Sequence, residues 1–171
     1  MTGDGNEFFP KISIVTVTYN AANELEQTVA SIADQTYANV ELVIIDGNSS
    51  DNTLDILQQY RDKIDYLVSE PDSGIYDAMN KGLKAATGDY VLFLNAGDYF
   101  CDDHSLENLI CSAREPFDIL YGDIQLVGTN GAIRHHRAKQ FSHENLLKHG
   151  TSVLCHQAIL VKREIAPLYD A

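Results

Sequence analysis

Tyr90-Val91-Leu92-Phe93-Leu94-Asn95-Ala96-Gly97-Asp98 decides how the rest of this sequence is read. Its first five residues are aromatic, β-branched or leucine and show no period-two alternation, the pattern of a central strand covered on both faces. The last four end that run with small and amide residues and leave one carboxylate, Asp98, at the carboxyl end of the strand. Ligands of open α/β sheets collect at such ends, which makes Asp98 a candidate ligand for a cation or a substrate hydroxyl. Capping the turn is the other role an aspartate takes there.

The segments before it repeat one pattern. Residues 12–18 are β-branched almost throughout and read as a first strand; residues 22–35 carry Leu25, Val29 and Ile32 at i, i+4, i+7, one apolar helical face. A second buried strand, 40–45, ends at Asp46, and Gly47-Asn48-Ser49-Ser50-Asp51 supplies a turn and an N-cap for a helix over 53–60. Residues 66–69 form a short strand, 70–74 a loop, and 75–86 a helix closed by Thr87-Gly88. Strands alternating with helices imply a mostly parallel sheet with right-handed crossovers and helices on both faces. Tyr19, Asn20, Asp46, Asn95 and Asp98 then share one rim. Asp46 there could accept N–H or hydroxyl bonds from a nucleoside, and Tyr19 could stack on its base. There is no GxGxxG after the first strand and no GxxxxGK[ST] anywhere, so a bound nucleotide needs another hold, such as a metal bridging Asp98 to a diphosphate.

At 171 residues and 44% hydrophobic content the chain can bury one core and is expected to be a single domain, 11–171, behind a flexible leader, 1–10. A formal charge of −13 argues against nucleic acid or an anionic membrane as a direct electrostatic partner. Cys101, Cys111 and Cys155 are odd in number and lie outside any CxxC, which fits a reducing cytoplasm and neither a disulfide framework nor zinc. No apolar run approaches the ~18 residues of a membrane span, which leaves peripheral attachment at the inner face as the form of membrane association still open.

After Asp98 the pattern loosens. Residues 103–113 read as a helix, and 118–127 and 132–137 flank Thr129-Asn130-Gly131, whose Asn-Gly pair signals a hairpin. Asp123 stands beside it, a lone carboxylate for which a plain surface position is the simplest reading. His135, His136 and Arg137 are adjacent in a strand and so cannot converge on one ion. His156-Gln157 precedes an apolar strand, 158–161. On the helix over 75–86, Asp77, Asn80 and Lys81 at i, i+3, i+4 are expected on one polar face opposite Ala78, Met79 and Leu83.

Residues 14–20, 43–53, 72–82 and 88–98 resemble, in order, the successive blocks of family 2 glycosyltransferases. The resemblance covers roughly 11–165. It implies a GT-A, Rossmann-like fold and an inverting hexosyltransferase that takes a sugar from a nucleotide-diphosphate donor, usually UDP-linked, with Mg²⁺ or Mn²⁺. The Asn-Ala-Gly-Asp form of the last block resembles the subgroup that builds bacterial surface polysaccharides on glycan or lipid-linked acceptors. Carried over by position, Thr18, Tyr19, Asn20 and Asp46 match the base side of the donor site, Asp77 and Asn80 the donor-side helix, and Asn95 and Asp98 the metal-binding turn. Asp98 is the metal ligand, and Asn95 and Gly97 stand where many relatives have aspartates. His156 and Gln157 match a pair near the acceptor, and Asp123 is a weak candidate for lining that side or for acting as the catalytic base. Relatives usually continue beyond the point equivalent to Ala171 and carry their catalytic base there; Asp170 falls in an earlier turn, so the chain is expected to bind donor and to transfer poorly alone. Two rival readings are a non-catalytic nucleotide-binding remnant and another doubly wound binding domain.

Overall fold

The structure is a computed structural model that describes residues 8–113, 115–138 and 155–170. Among the described residues eight strands and four helices follow in the order β1 (Ile12–Thr18), α1 (Ala22–Ala33), β2 (Val40–Asp46), α2 (Thr53–Gln59), β3 (Tyr66–Ser69), α3 (Ile75–Ala85), β4 (Tyr90–Phe93), α4 (Ser105–Ser112), β5 (Ile119–Tyr121), β6 (Ile124–Val127), β7 (Ile133–His136) and β8 (Ile159–Lys162). The main sheet runs β3-β2-β1-β4-β8-β5, and β6 and β7 form a separate ribbon. β1 to β4 are parallel, as the strand-helix alternation implied. β8 is antiparallel to both β4 and β5, so β5 runs in the direction of β4 and ends on the same rim.

Residues 118–127 are therefore not one strand. Gly122 and Asp123 divide them, with β5 joining the main sheet and β6 turning away into the Asn-Gly hairpin. The central strands are buried on both faces because each face has its own core. One packs Ile12, Ile14, Ile44 and Leu92 under Leu25 and Val29 of α1, Leu57 of α2 and Leu106 of α4. The other packs Val15, Val43, Ile45 and Phe93 under Ala78, Met79 and Leu83 of α3, with Ala166 and Tyr169 covering the remainder.

The segment read as a flexible leader is seated sooner than expected. Residues 1–7 lie outside the described residues, but Phe8 meets Tyr90 and Phe117 edge-on at 6.2 and 5.9 Å, and the carbonyl of buried Pro10 accepts a 2.7 Å bond from Tyr37 Oη. Apolar contact overrides the polar composition around it.

At the amino-terminal edge of the sheet Glu41 is buried yet charged. Burial alone would raise its pKa, but hydrogen bonds from Lys11 Nζ (2.8 Å), Ser13 Oγ (2.5 Å) and the Thr87 amide and hydroxyl (2.8 and 2.6 Å) outweigh it and pull the carboxyl down to about 2. A pKa below its unfolded value gives stability that is present above pH ~4.5 and lost as pH falls towards 2. With the partly exposed Lys11 discounted for screening, that contribution is about 2 kcal/mol. Chemical denaturation from pH 6 to 2.5 should show Glu41→Gln losing less stability on acidification than the parent; an unchanged slope would remove Glu41 as the source.

Candidate functional site

The rim at the carboxyl ends of β1, β2 and β4 is assembled by side chains that tie loops to one another. Asn20 takes a left-handed φ of 46°, its amide donates to Ser49 Oγ at 2.8 Å, and its Oδ1 accepts from the Ser50 amide at 2.8 Å. Ser49 Oγ in turn donates to Asp46 Oδ1 at 2.5 Å, while Asp46 Oδ2 accepts from the Ser49 amide and from Ser69 Oγ at 3.0 and 2.6 Å. Asp46 is fully buried, and its carboxylate braces the loop after β1 and pins β3 to β2. Thr18, in register with Asp46, is buried with its hydroxyl unpartnered, and its carbonyl accepts the Gly47 amide at 2.9 Å.

Above this frame Tyr19 is 64% exposed. A Cβ placed on Gly47 would lie 2.7 Å from Asp72 Oδ2 and 3.3 Å from Tyr19 Cδ2, so the Asp72 carboxylate and the edge of the Tyr19 ring close directly over the bare Gly47 backbone. Asp72 was missed in the sequence, where it is one residue of a Pro-Asp-Ser-Gly loop. Its Oδ1 accepts the Gly74 amide at 2.8 Å, an ordinary turn bond, and only the fold shows that the loop leans over Gly47.

The turn after β4 is fixed by its backbone. The Asp98 amide donates to Asn95 O at 2.9 Å, and Gly97 sits at φ +99°, the left-handed conformation that glycine takes at little cost in the third position of such a turn. The Gly97 amide donates to Thr28 Oγ1 of α1 at 3.0 Å. This is the physical reason Gly97 stands where an aspartate was the alternative. Asp98 is partly buried, and burial pushes its carboxyl pKa up against the opposing pull of a Gln157 hydrogen bond and the His156 charge. Residues nearly sixty positions apart in sequence thus meet, because β8, which follows the 3₁₀ turn His156–Ala158, is inserted beside β4. Asn95 contributes a second oxygen at this turn, a buried Oδ1 with no hydrogen-bond partner.

The expected polar face of α3 is corrected. Asn80 is buried, not ranged with Asp77: its Nδ2 donates to Tyr169 O at 2.9 Å and its Oδ1 accepts the Tyr169 amide at 2.8 Å. Position 80 lies at the margin of the apolar arc of the helix, where the segment around Tyr169 covers it. Asp77 accepts from the Ser73 amide at 3.0 Å, and that bond and Lys81 lower its pKa. Lys81 also bonds Glu70 and the Pro71 carbonyl at 3.0 and 2.9 Å, so both side chains hold the 70–74 loop. Asp123 is exposed and accepts the Ala138 amide at 2.8 Å. His135 and Arg137 are exposed and His136 half-buried, in agreement with a surface reading.

Among the described residues no three His, Cys, Asp or Glu side chains cluster as a self-sufficient metal site. One desolvated carboxylate with an unsatisfied amide oxygen nearby in the chain does fit a hard cation that takes its remaining ligands from a diphosphate and water.

The sequence profile described as Glycosyl transferase family 2 matches residues 13–167. A PGL/p-HBAD biosynthesis glycosyltransferase of Mycobacterium bovis is 36% identical over 159 residues, 90% of this chain and 60% of its own length. The putative teichuronic acid biosynthesis glycosyltransferase TuaG of Bacillus subtilis is 41% identical over 97 residues, 55% of this chain and 38% of its own. Among solved structures, S. aureus TarS 1-349 in complex with UDP-GlcNAc matches 64% of this chain and 33% of that one at TM-score 0.56 and 30% identity. A Pyrobaculum calidifontis mannosyltransferase matches 91% of this chain and 45% of its own at TM-score 0.64 and 22% identity, a likeness of fold. The chain spans about 60% of the length of the mycobacterial relative.

Proposed function

The chain belongs to glycosyl transferase family 2, and from that premise we propose that it carries the donor site of an enzyme that moves a sugar, with inversion, from a nucleotide diphosphate, UDP above all, to a glycan or lipid-linked acceptor in bacterial surface-polysaccharide synthesis. The observation that carries this reading is the convergence on one rim of the exposed Tyr19 ring, the Asp72 carboxylate over Gly47 and the Asp98 turn. Tyr19 offers a ring face to a base, and Asp72 Oδ2 accepts an N–H or hydroxyl from the nucleoside. Asp46 acts one step back, through Ser49, by fixing the backbone that presents Tyr19. Asp98, with Asn95 Oδ1 beside it in the chain, would hold Mg²⁺ or Mn²⁺, which supplies the positive charge that a diphosphate leaving group needs. His156 and Gln157 orient the Asp98 carboxylate and face the acceptor side.

The rival of a phosphate-loop nucleotide domain meets a specific obstacle. Two of the amides at the start of the helix after β1 are already taken: the Ala22 amide donates to Asp51 Oδ2 at 3.2 Å and the Ala21 amide to Thr53 Oγ1 at 3.0 Å. A carboxylate already occupies the position an anion would take. We place the reaction in the cytoplasm, in keeping with three cysteines that are all free. Among the described residues no helix is long and apolar enough to cross a membrane.

Thermal shift with nucleotide diphosphates, each with and without Mn²⁺, tests the reading. UDP at a hundred times its dissociation constant should stabilise by roughly 2.7 kcal/mol, raising Tm by about 5–11 °C for a domain of this size, with the larger part requiring metal. No shift with any nucleotide and metal would remove the donor-site assignment. Asp123→Ala should leave the shift intact, since the Asp123 carboxylate is engaged by the Ala138 amide at the base of the hairpin.

A further inference from the structure

We propose that the β6–β7 ribbon is a docking surface for anionic lipid, which turns the rim bearing Asp98 towards the membrane. Leu126, Val127 and Ile133 are each more than half exposed, a density of solvated apolar side chains that a four-residue ribbon does not need for its own stability. The register places Leu126 opposite Arg134 on one face and Val127 opposite Ile133 on the other, so apolar groups stand on both faces at the end nearest the turn. The turn itself, residues 128–132, is uncharged and closed by the Gly128 amide to Ala132 O bond at 2.8 Å. Arg134, His135, His136 and Arg137 follow along β7 away from the turn, with no acidic residue between 124 and 138. An apolar tip with a cationic collar is the arrangement that enters a headgroup layer.

Charge complementarity selects the occupant. Residues 124–138 hold Arg134 and Arg137 and no acidic residue, a stretch of net +2 in a chain of net −13, with Asp123 at the base of the ribbon engaged by the Ala138 amide. As a whole the chain is repelled by an anionic surface. Beyond about 8 Å, however, such repulsion is largely screened at physiological salt, and a four-residue ribbon with its turn reaches roughly 15 Å. The approach the field permits is therefore ribbon first. β5 runs in the direction of β4 and leads into the ribbon from the rim, so a chain docked by its ribbon presents that rim to the bilayer. The lipid-linked acceptor of the proposed function would be met there; the lipid docking itself does not depend on that reading.

Co-sedimentation of the full chain with phosphatidylcholine vesicles, and with vesicles enriched in phosphatidylglycerol, tests the surface at low and high salt. Binding is expected only to the anionic vesicles and to weaken with salt. Arg134→Gln with Arg137→Gln should weaken it roughly 25-fold, about fivefold for each arginine, and Leu126→Ser with Val127→Ser and Ile133→Ser should abolish it. Both variants should keep the UDP and Mn²⁺ thermal shift. No binding to anionic vesicles, or binding that both variants retain, overturns the proposal even where the UDP shift is present. Light scattering that shows a dimer converted to a monomer by the triple serine variant, with no lipid dependence, also overturns it and assigns the ribbon to a second copy. Vesicle binding without a UDP shift would sustain the docking surface while the donor-site reading fell.

Discussion

Asp98→Ala will lose the Mn²⁺-dependent part of the UDP stabilisation while keeping its unliganded melting temperature. The turn owes its shape to the Asp98 amide, to the left-handed Gly97 and to the bond from the Gly97 amide to Thr28, none of which uses the carboxylate. The side chain is instead held at a cost, since burial pushes its pKa up. Removing it should change folding stability by no more than about 0.5 kcal/mol, the usual range away from a structural role. A cation held by the diphosphate and a single protein carboxylate has no substitute when that carboxylate goes, and most of the roughly 2.7 kcal/mol expected at a hundredfold excess of UDP should disappear. Asp98→Asn, nearly identical in shape and uncharged, should behave in the same way. Titration of Mn²⁺ in the presence of UDP, followed by melting temperature, decides the matter. If Asp98→Ala responds to metal as the parent does, the metal is bound by other residues.

Gly82→Ala is expected to be a severely damaging single-carbon change in the described core. A Cβ at that position would sit 2.2 Å from Val15 Cγ1 and 3.4 Å from Ile45 Cγ1, where α3 crosses the two central strands of the sheet. Val15 is fully buried and β-branched, so its χ1 is stiff and neighbouring core side chains surround it. Helix propensity pulls the other way, because alanine is favoured over glycine by about 1 kcal/mol in a helix interior. Overpacking of a tight core costs 1–3 kcal/mol and sometimes more, and a contact this short belongs at the upper end. The net expectation is a loss of about 2–3 kcal/mol, or roughly 4–12 °C in Tm. A neutral or stabilising result by calorimetry would mean that α3 can lift from the sheet. In that case the Tyr76–Tyr169 stack (5.3 Å between centroids) and the pairing of Asn80 with Tyr169 should report the movement.

The parallel half of the sheet was legible because each strand is an unbroken apolar run and each helix carries its own period. Residues 12–18 and 66–69 match the observed strands, and the helices differ from expectation by one or two residues at their ends. The convergence of Tyr19, Asn20, Asp46 and Asp98 on one rim followed from topology alone. Long-range pairing was not legible. Nothing local shows that residues 159–162 slide between β4 and residues 119–121, and so nothing local brought Gln157 to Asp98. Asn80 shows the same limit on a helix: spacing gave its angular position, but burial was decided by a segment almost ninety residues away. Asp46 and Asp72 exchanged emphasis for a related reason. A carboxylate's role depends on which donors reach it first, and Ser49 and Ser69 reach Asp46.

The insertion of β8 between β4 and β5 has a bearing on how the chain is made. At 5–20 residues per second a ribosome takes roughly 2–8 s to pass from Tyr121 to Ile159, far longer than a hairpin or a helix needs to form. For that interval β1 to β4 can assemble as a parallel unit, yet β4 offers a bare edge and β5 has no strand to join. An unpaired edge beside the apolar Leu92 and Leu94 is an invitation to pair with another nascent chain. Ile119, still 51% exposed in the finished fold, adds to that hazard. Yield of soluble protein should therefore depend on how quickly residues 122–158 are translated, and synonymous codons that slow this stretch are expected to cost more than the same codons placed before Tyr90.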